Sequence, residues 1–68
     1  MTLVGFIKRI NRDYCFIRVP TGQEYFAHKR DFKDPSLRRL GQYVQFTPLP
    51  PIDPSKNPPA TDVEAIAA

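Results

Sequence analysis

The chain has 68 residues, one cysteine, no tryptophan, and ten Lys plus Arg against seven Asp plus Glu, giving a net charge of +3. That length builds one domain with one small core, and a lone cysteine excludes an internal disulfide and a multi-cysteine metal site. No apolar run approaches the ~20 residues of a membrane-spanning helix, and the basic balance, with a pI near 9.4, favours an anionic partner.

In chain order, residues 3–10 (LVGFIKRI) predict a first strand. Successive strand side chains point to opposite faces, so Leu3, Gly5 and Ile7 share one parity and Val4, Phe6 and Lys8 the other. Gly5 marks an expected bulge or bend, and beyond it periodicity assigns no face to Arg9 or Ile10. Asn11-Arg12-Asp13 reads as a tight turn. Residues 14–19 (YCFIRV) and 25–28 (YFAH) flank a linker turning at Thr21-Gly22, which is a hairpin signal. Tyr14, Phe16 and Arg18 oppose Cys15, Ile17 and Val19; Phe26 and His28 oppose Tyr25 and Ala27. One face thus carries the aliphatic and small residues of a core. The other carries rings, an arginine and a histidine, a poor core and a good platform for stacking bases.

Residues 29–36 are too polar and too short for a stable helix. They predict one helical turn with Phe32 inward, then a second short turn capped by Asp34 or Ser36. Gly41 breaks the segment, and residues 42–46 (QYVQF) form a fourth strand with Val44 and Phe46 on one side. Pro48 ends that strand or places it at an edge. Pro48, Pro50, Pro51, Pro54, Pro58 and Pro59 make residues 47–59 a stiff extended loop. Residues 60–66 supply a last strand. The expectation is an all-β, small five-stranded antiparallel β-barrel, one domain over residues 1–68 with its core in residues 3–66.

The motifs, taken together, resemble the cold-shock domain family. The first ribonucleoprotein motif of that family is matched by Arg12-Asp13-Tyr14-Cys15-Phe16-Ile17, and the second by Tyr25-Phe26-Ala27-His28-Lys29. Gly41-Gln42-Tyr43-Val44-Gln45-Phe46 resembles the family's Gly-x-x-Val-x-Phe strand, and residues 57–63 (NPPATDV) its closing Gly-Pro-x-Ala-x-x-Val. The resemblance implies an OB-type barrel that binds single-stranded RNA or DNA by stacking, acting as an RNA chaperone or a regulator of gene expression. Departures accompany it. Asp13 and Cys15 replace the first motif's two glycines, and Arg9 and Ile10 stand where the family has Trp and Phe. Lys29 replaces the second motif's last phenylalanine, and a shortened segment after His28 loses a further aromatic. These imply fewer stacking rings and a larger share of phosphate contacts.

The candidate interface is therefore Tyr14, Phe16, Phe26 and His28 for stacking, with Lys8, Arg9, Arg18 and Lys29 for phosphates. Catalysis is not expected: Cys15 and His28, the one nucleophile–base pair on offer, fall on opposite parities. Neither metal-ligand spacing nor a phosphate-cradling glycine loop occurs, so no cofactor is expected. The competing reading is a small-barrel protein-interaction module that binds no nucleic acid. Residues 1–5 lack the basic start and apolar stretch of a secretory signal, and the expected location is the cytoplasm. A monomer is expected, with a dimer or strand swap as the alternative for so small a barrel.

Overall fold

The computed structural model describes residues 1–66; the expected end of the domain, residues 67 and 68, lies outside the described residues. Five strands form, β1 (Leu3–Ile10), β2 (Tyr14–Arg18), β3 (Glu24–His28), β4 (Tyr43–Pro48) and β5 (Ala60–Glu64). They make one antiparallel sheet in the order β3-β2-β1-β4-β5. The sheet curls until its two edges meet. Phe26 N–H of β3 donates to the Pro58 carbonyl at 2.9 Å, and Phe26 and Pro59 form a parallel bridge. Below this, Phe32 bridges Val63, and Lys33 N–H donates to the Val63 carbonyl at 2.9 Å. The result is a nearly closed barrel of OB type, as the sequence predicts.

The interior is filled from every strand: Ile7, Cys15 and Ile17, Ala27, Val44 and Phe46, Ala60 and Val63, with Val19 and Phe32 sealing the ends. Among the described residues no polar or charged residue is buried. Full burial of one such Ile, Val or Phe contributes ~1.5–3 kcal/mol, so these few residues supply most of the stabilisation available to a chain this short. Lys29–Asp31 and Pro35–Leu37 each form one 3₁₀ turn. Asp34 caps the second by accepting from Ser36 N–H at 3.0 Å, and Phe32 points inward between them.

Two bulges decide which side chains face out. In β1, Ile7 pairs with Ile17 and Arg9 with Phe16, so Lys8 is an extra residue. Ile7 and Ile10 therefore both face the core, while Lys8 and Arg9 both face outward. In β5 the register slips by one residue around Asp62, whose φ of 51° lies in the left-handed region. Asp tolerates that conformation better than most residues, and the slip lets Ala60 and Val63 both turn inward. The break in β1 periodicity is thus at Lys8, three residues after the glycine expected to mark it.

Gly5 has a different role. A Cβ there would stand 2.5 Å from the Arg18 carbonyl oxygen and 2.9 Å from Ile17 Cγ2. Its hydrogen lets β1 press closely against β2 at Ile17 and Arg18. Expected boundaries also shift by one or two residues: β2 ends at Arg18 rather than Val19, β3 begins at Glu24 rather than Tyr25, β4 runs Tyr43–Pro48 rather than over 42–46, and β5 ends at Glu64 rather than Ile66.

Replacing Gly5 with alanine forces backbone apart at that contact. We expect Gly5→Ala to destabilise the fold by ~1–3 kcal/mol, the usual cost of overpacking. It should appear as a lower urea midpoint at unchanged denaturant slope.

Candidate nucleic-acid interface

The outer surface of β3, β2 and β1 is laid out in rows, because residues paired across strands share a face. One row holds His28 and Tyr14, the next Phe26, Phe16 and Arg9, and the third Glu24, Arg18 and Phe6, extended by Tyr43 of β4. Tyr14, Phe16 and Phe26 touch one another as a three-ring cluster. Tyr14 lies 4.9 Å from Phe26 (tilted) and 5.6 Å from Phe16 (edge-on), and Phe16 lies 6.1 Å from Phe26 (edge-on). All three are half-buried. Their ring-on-ring packing fixes the cluster without covering it.

His28 stands at the end of β3, where it caps the following turn. Its Nδ1 accepts from Arg30 N–H at 3.2 Å, and its own backbone N–H donates to Asp31 Oδ2 at 3.3 Å. An accepting Nδ1 leaves the proton of the neutral ring on Nε2. Lys29 N–H also donates to the Asp13 carbonyl at 2.8 Å, locking this corner to the β1–β2 turn.

The cations are more heavily engaged than composition predicts. Arg9 Cζ sits 4.7 Å from the Phe16 ring centroid, a cation–π contact, and its Nη2 lies 3.6 Å from Glu24 Oε1. Lys8 Nζ bonds Glu24 Oε2 at 2.9 Å, and Lys29 Nζ pairs with Asp13 Oδ1 at 3.1 Å. Arg18, exposed beside Glu24 in the third row, makes no ion pair among the described residues. The hydrogen bond from Lys8 is the chief reason the Glu24 carboxyl is held below the usual carboxylate range, with smaller help from the Arg9 and Arg18 charges. Sequence reasoning found all these cations and missed Glu24, the carboxylate that Lys8 and Arg9 share, which lies 16 residues from Lys8.

The proline-rich loop also differs from the free extended segment expected. The Phe26–Pro58 bond holds the end of the loop against β3, and Leu49 N–H donates to the Pro59 carbonyl at 3.0 Å, tying the two ends of the loop together. The loop thereby walls an open groove of about 950 Å³ whose floor includes Phe16, Phe26 and His28. Leu49 and Ile52 line the wall with Lys56 and Asn57, and Arg30 lies at the floor's margin. Ile52 is 90% exposed. Two apolar residues between prolines with no place in the core were the available signal for that wall.

Cys15 is fully buried and pairs with Ala27, whereas His28 pairs with Tyr14 on the other face. Burial pushes the Cys15 thiol up to about 11, and the nearby Arg38 charge offsets only part of this. A thiol so placed stays protonated and is no nucleophile at neutral pH. Among the described residues no three His, Cys, Asp or Glu side chains gather as a metal site, and no helix is long and apolar enough to cross a membrane.

No protein-family model matches the chain, and no curated protein matches it. The architecture is that of a small OB-like domain with an aromatic cluster on its outer surface.

Glu24 competes with any phosphate for Lys8 and Arg9. We expect Glu24→Gln to tighten oligothymidylate binding a few-fold at neutral pH and to steepen its salt dependence. In the parent, Glu24 stays ionised down to a pH below the ordinary carboxylate range because its folded pKa is depressed. Its pairing therefore contributes stability above that range and loses it as pH falls through the depressed value. Affinity for oligothymidylate, whose base does not protonate there, should rise over the same interval, and that rise should be smaller in Glu24→Gln, which keeps only the part due to other carboxylates such as Asp13 beside Lys29. Titrations at several acidic pH values check both.

Proposed function

We propose that this domain binds single-stranded nucleic acid, RNA or DNA, as a divergent cold-shock-like protein, with bases stacked on Tyr14, Phe16 and Phe26. The observation that carries this reading is the three-ring cluster held half-exposed on the curved outer sheet and ringed by cations. An exposed aromatic patch of that kind marks a binding surface. Aromatic faces accept any unpaired base, each contributing ~1–3 kcal/mol, and duplex bases are hidden from them. His28 extends the platform beside Tyr14, and Arg18, Arg9, Lys8 and Lys29 take the phosphates. Of these, Arg18 is the readiest, since the other three exchange a carboxylate for a phosphate. In this role the domain acts as an RNA chaperone or a regulator of gene expression.

The test is a set of binding isotherms for single strands and duplex of equal length at several salt concentrations. Single strands should bind more tightly. Phe16→Ala and Phe26→Ala should each weaken binding by ~1–3 kcal/mol with little change in the salt slope. Arg18→Ala should make the log–log slope shallower by ~0.7, the loss of one phosphate contact. Equal affinity for duplex would remove the stacking reading and leave a merely basic surface; folded phenylalanine variants that bind like the parent would remove the aromatic face as the site; no response to any oligonucleotide would favour a protein-interaction module.

A further inference from the structure

The outer face carries a second pair of rings that the cluster described above does not include. Phe6 of β1 and Tyr43 of β4 pair in register, with ring centroids 5.8 Å apart and planes tilted by 48°. Phe6 lies between two buried neighbours, Gly5 and Ile7, so its ring projects outward. Tyr43 is 58% exposed, and Val4, also exposed, follows on the same face of β1. Neither ring serves the core. The sequence groups Phe6 with Val4 and Lys8 on one parity of the first strand and offers no function for it.

Position relates this pair to the first cluster. Phe6 pairs across strands with Arg18, and Phe16 lies two residues before Arg18 on β2. Phe6 and Phe16 are thus diagonal neighbours, a relation that separates Cβ atoms by roughly 7–8 Å and keeps aromatic side chains within reach of one another. At the corner between the two groups of rings stands Arg18, the candidate phosphate ligand that makes no ion pair among the described residues. Lys8 projects beside it at the bulge, held by Glu24.

We propose that Phe6 and Tyr43 form a second stacking site, so that one single strand runs across the sheet from the Tyr14–Phe16–Phe26 cluster, past Arg18, onto β1 and β4. This rests on the single-strand reading above and adds a ligand site to it. Charge selects the occupant: the strip joining the two ring groups carries Arg18, Arg9 and Lys8 against the single carboxylate of Glu24. A polyanion with flat apolar faces at each repeat fits that alternation of ring, cation and ring. A second copy of this chain would bring the same cations against themselves. Base stacking on a half-exposed ring pair is tolerant of sequence, so the site lengthens the track without adding base preference.

The chain has no tryptophan, which permits a direct test. Tyr43→Trp and Phe16→Trp each introduce a single indole as a reporter at one ring group, and oligothymidylate is the probe. Stacking should quench both indoles with the same midpoint. Tyr43→Ala should remain folded, because the residue is largely exposed, and should weaken binding about fivefold or more. Quenching of the Phe16→Trp indole with none at Tyr43→Trp, together with parent-like binding by Tyr43→Ala, would overturn the second site and leave the first intact. No quenching at either position overturns both readings together. Sedimentation of the free protein supplies the last arm: a dimer abolished by Tyr43→Ala would make the ring pair a contact between copies instead.

Discussion

β1 is hydrogen-bonded along both edges, to β2 and to β4, and must bend between them for the sheet to curl. Gly5 provides the close approach and the bulge at Lys8 provides the change of face. The placement of Arg9 on the outer surface follows from that second device. A regular strand would turn Lys8 out and Arg9 in, placing a guanidinium opposite Cys15 in the core. An unpaired charge in such a core costs several kcal/mol, a large part of the stability of a small domain. The extra residue instead sends Ile10 inward and sets Arg9 over Phe16 and Lys8 on Glu24. The same strand carries Phe6 to Tyr43 on its other edge.

The electrostatics of the face are not those of a simple basic patch. Glu24 holds Lys8 and Arg9, and Asp13 holds Lys29. Exposed ion pairs of this sort contribute little to stability, so a phosphate that displaces the carboxylate meets small resistance. What the pairs do accomplish is restraint. Long side chains lose rotamer entropy when they are ordered at an interface, and here part of that ordering precedes binding. Arg9, fixed between the Phe16 ring and the Glu24 carboxylate, is held beside the ring cluster in the free protein.

Parity was enough to read the central hairpin. The alternation Tyr14/Phe16/Arg18 against Cys15/Ile17/Val19 is borne out residue by residue, as is Phe26/His28 against Ala27. These strands are regular, so the period of two holds. It fails where an extra residue enters, yet the apolar pairs Ile7/Ile10 and Ala60/Val63, each three apart, carried the trace of both bulges. The OB-type arrangement was legible from the order of the motifs more than from any one of them. Contacts made by closure were not legible. The Lys8–Glu24 bond, the Phe26–Pro58 bond and the groove wall at Leu49 and Ile52 depend on segments that meet only after the sheet has curled. The stiffness of residues 47–59 could be read from their prolines, and the surface against which they lie could not.

A barrel of one curled sheet has a single interior, and here the residues that fill it come from the inner face alone. Among the described residues no second layer of strands or helices forms over the outer face, so rings placed there stay partly in water. Such placement leaves apolar area unburied, at ~25 cal/mol per Å². The structure limits that loss by packing ring on ring, and edge-on or tilted aromatic pairs of this kind contribute ~0.5–1.5 kcal/mol beyond area alone. The packing also has a consequence for binding. Tyr14, Phe16 and Phe26 constrain one another's rotamers, so a base bound as proposed would meet a preformed surface instead of having to order three loose side chains. The exposed rings of this face are therefore held as the buried ones are, by their neighbours, and the solvent side of each ring is the part left for a ligand.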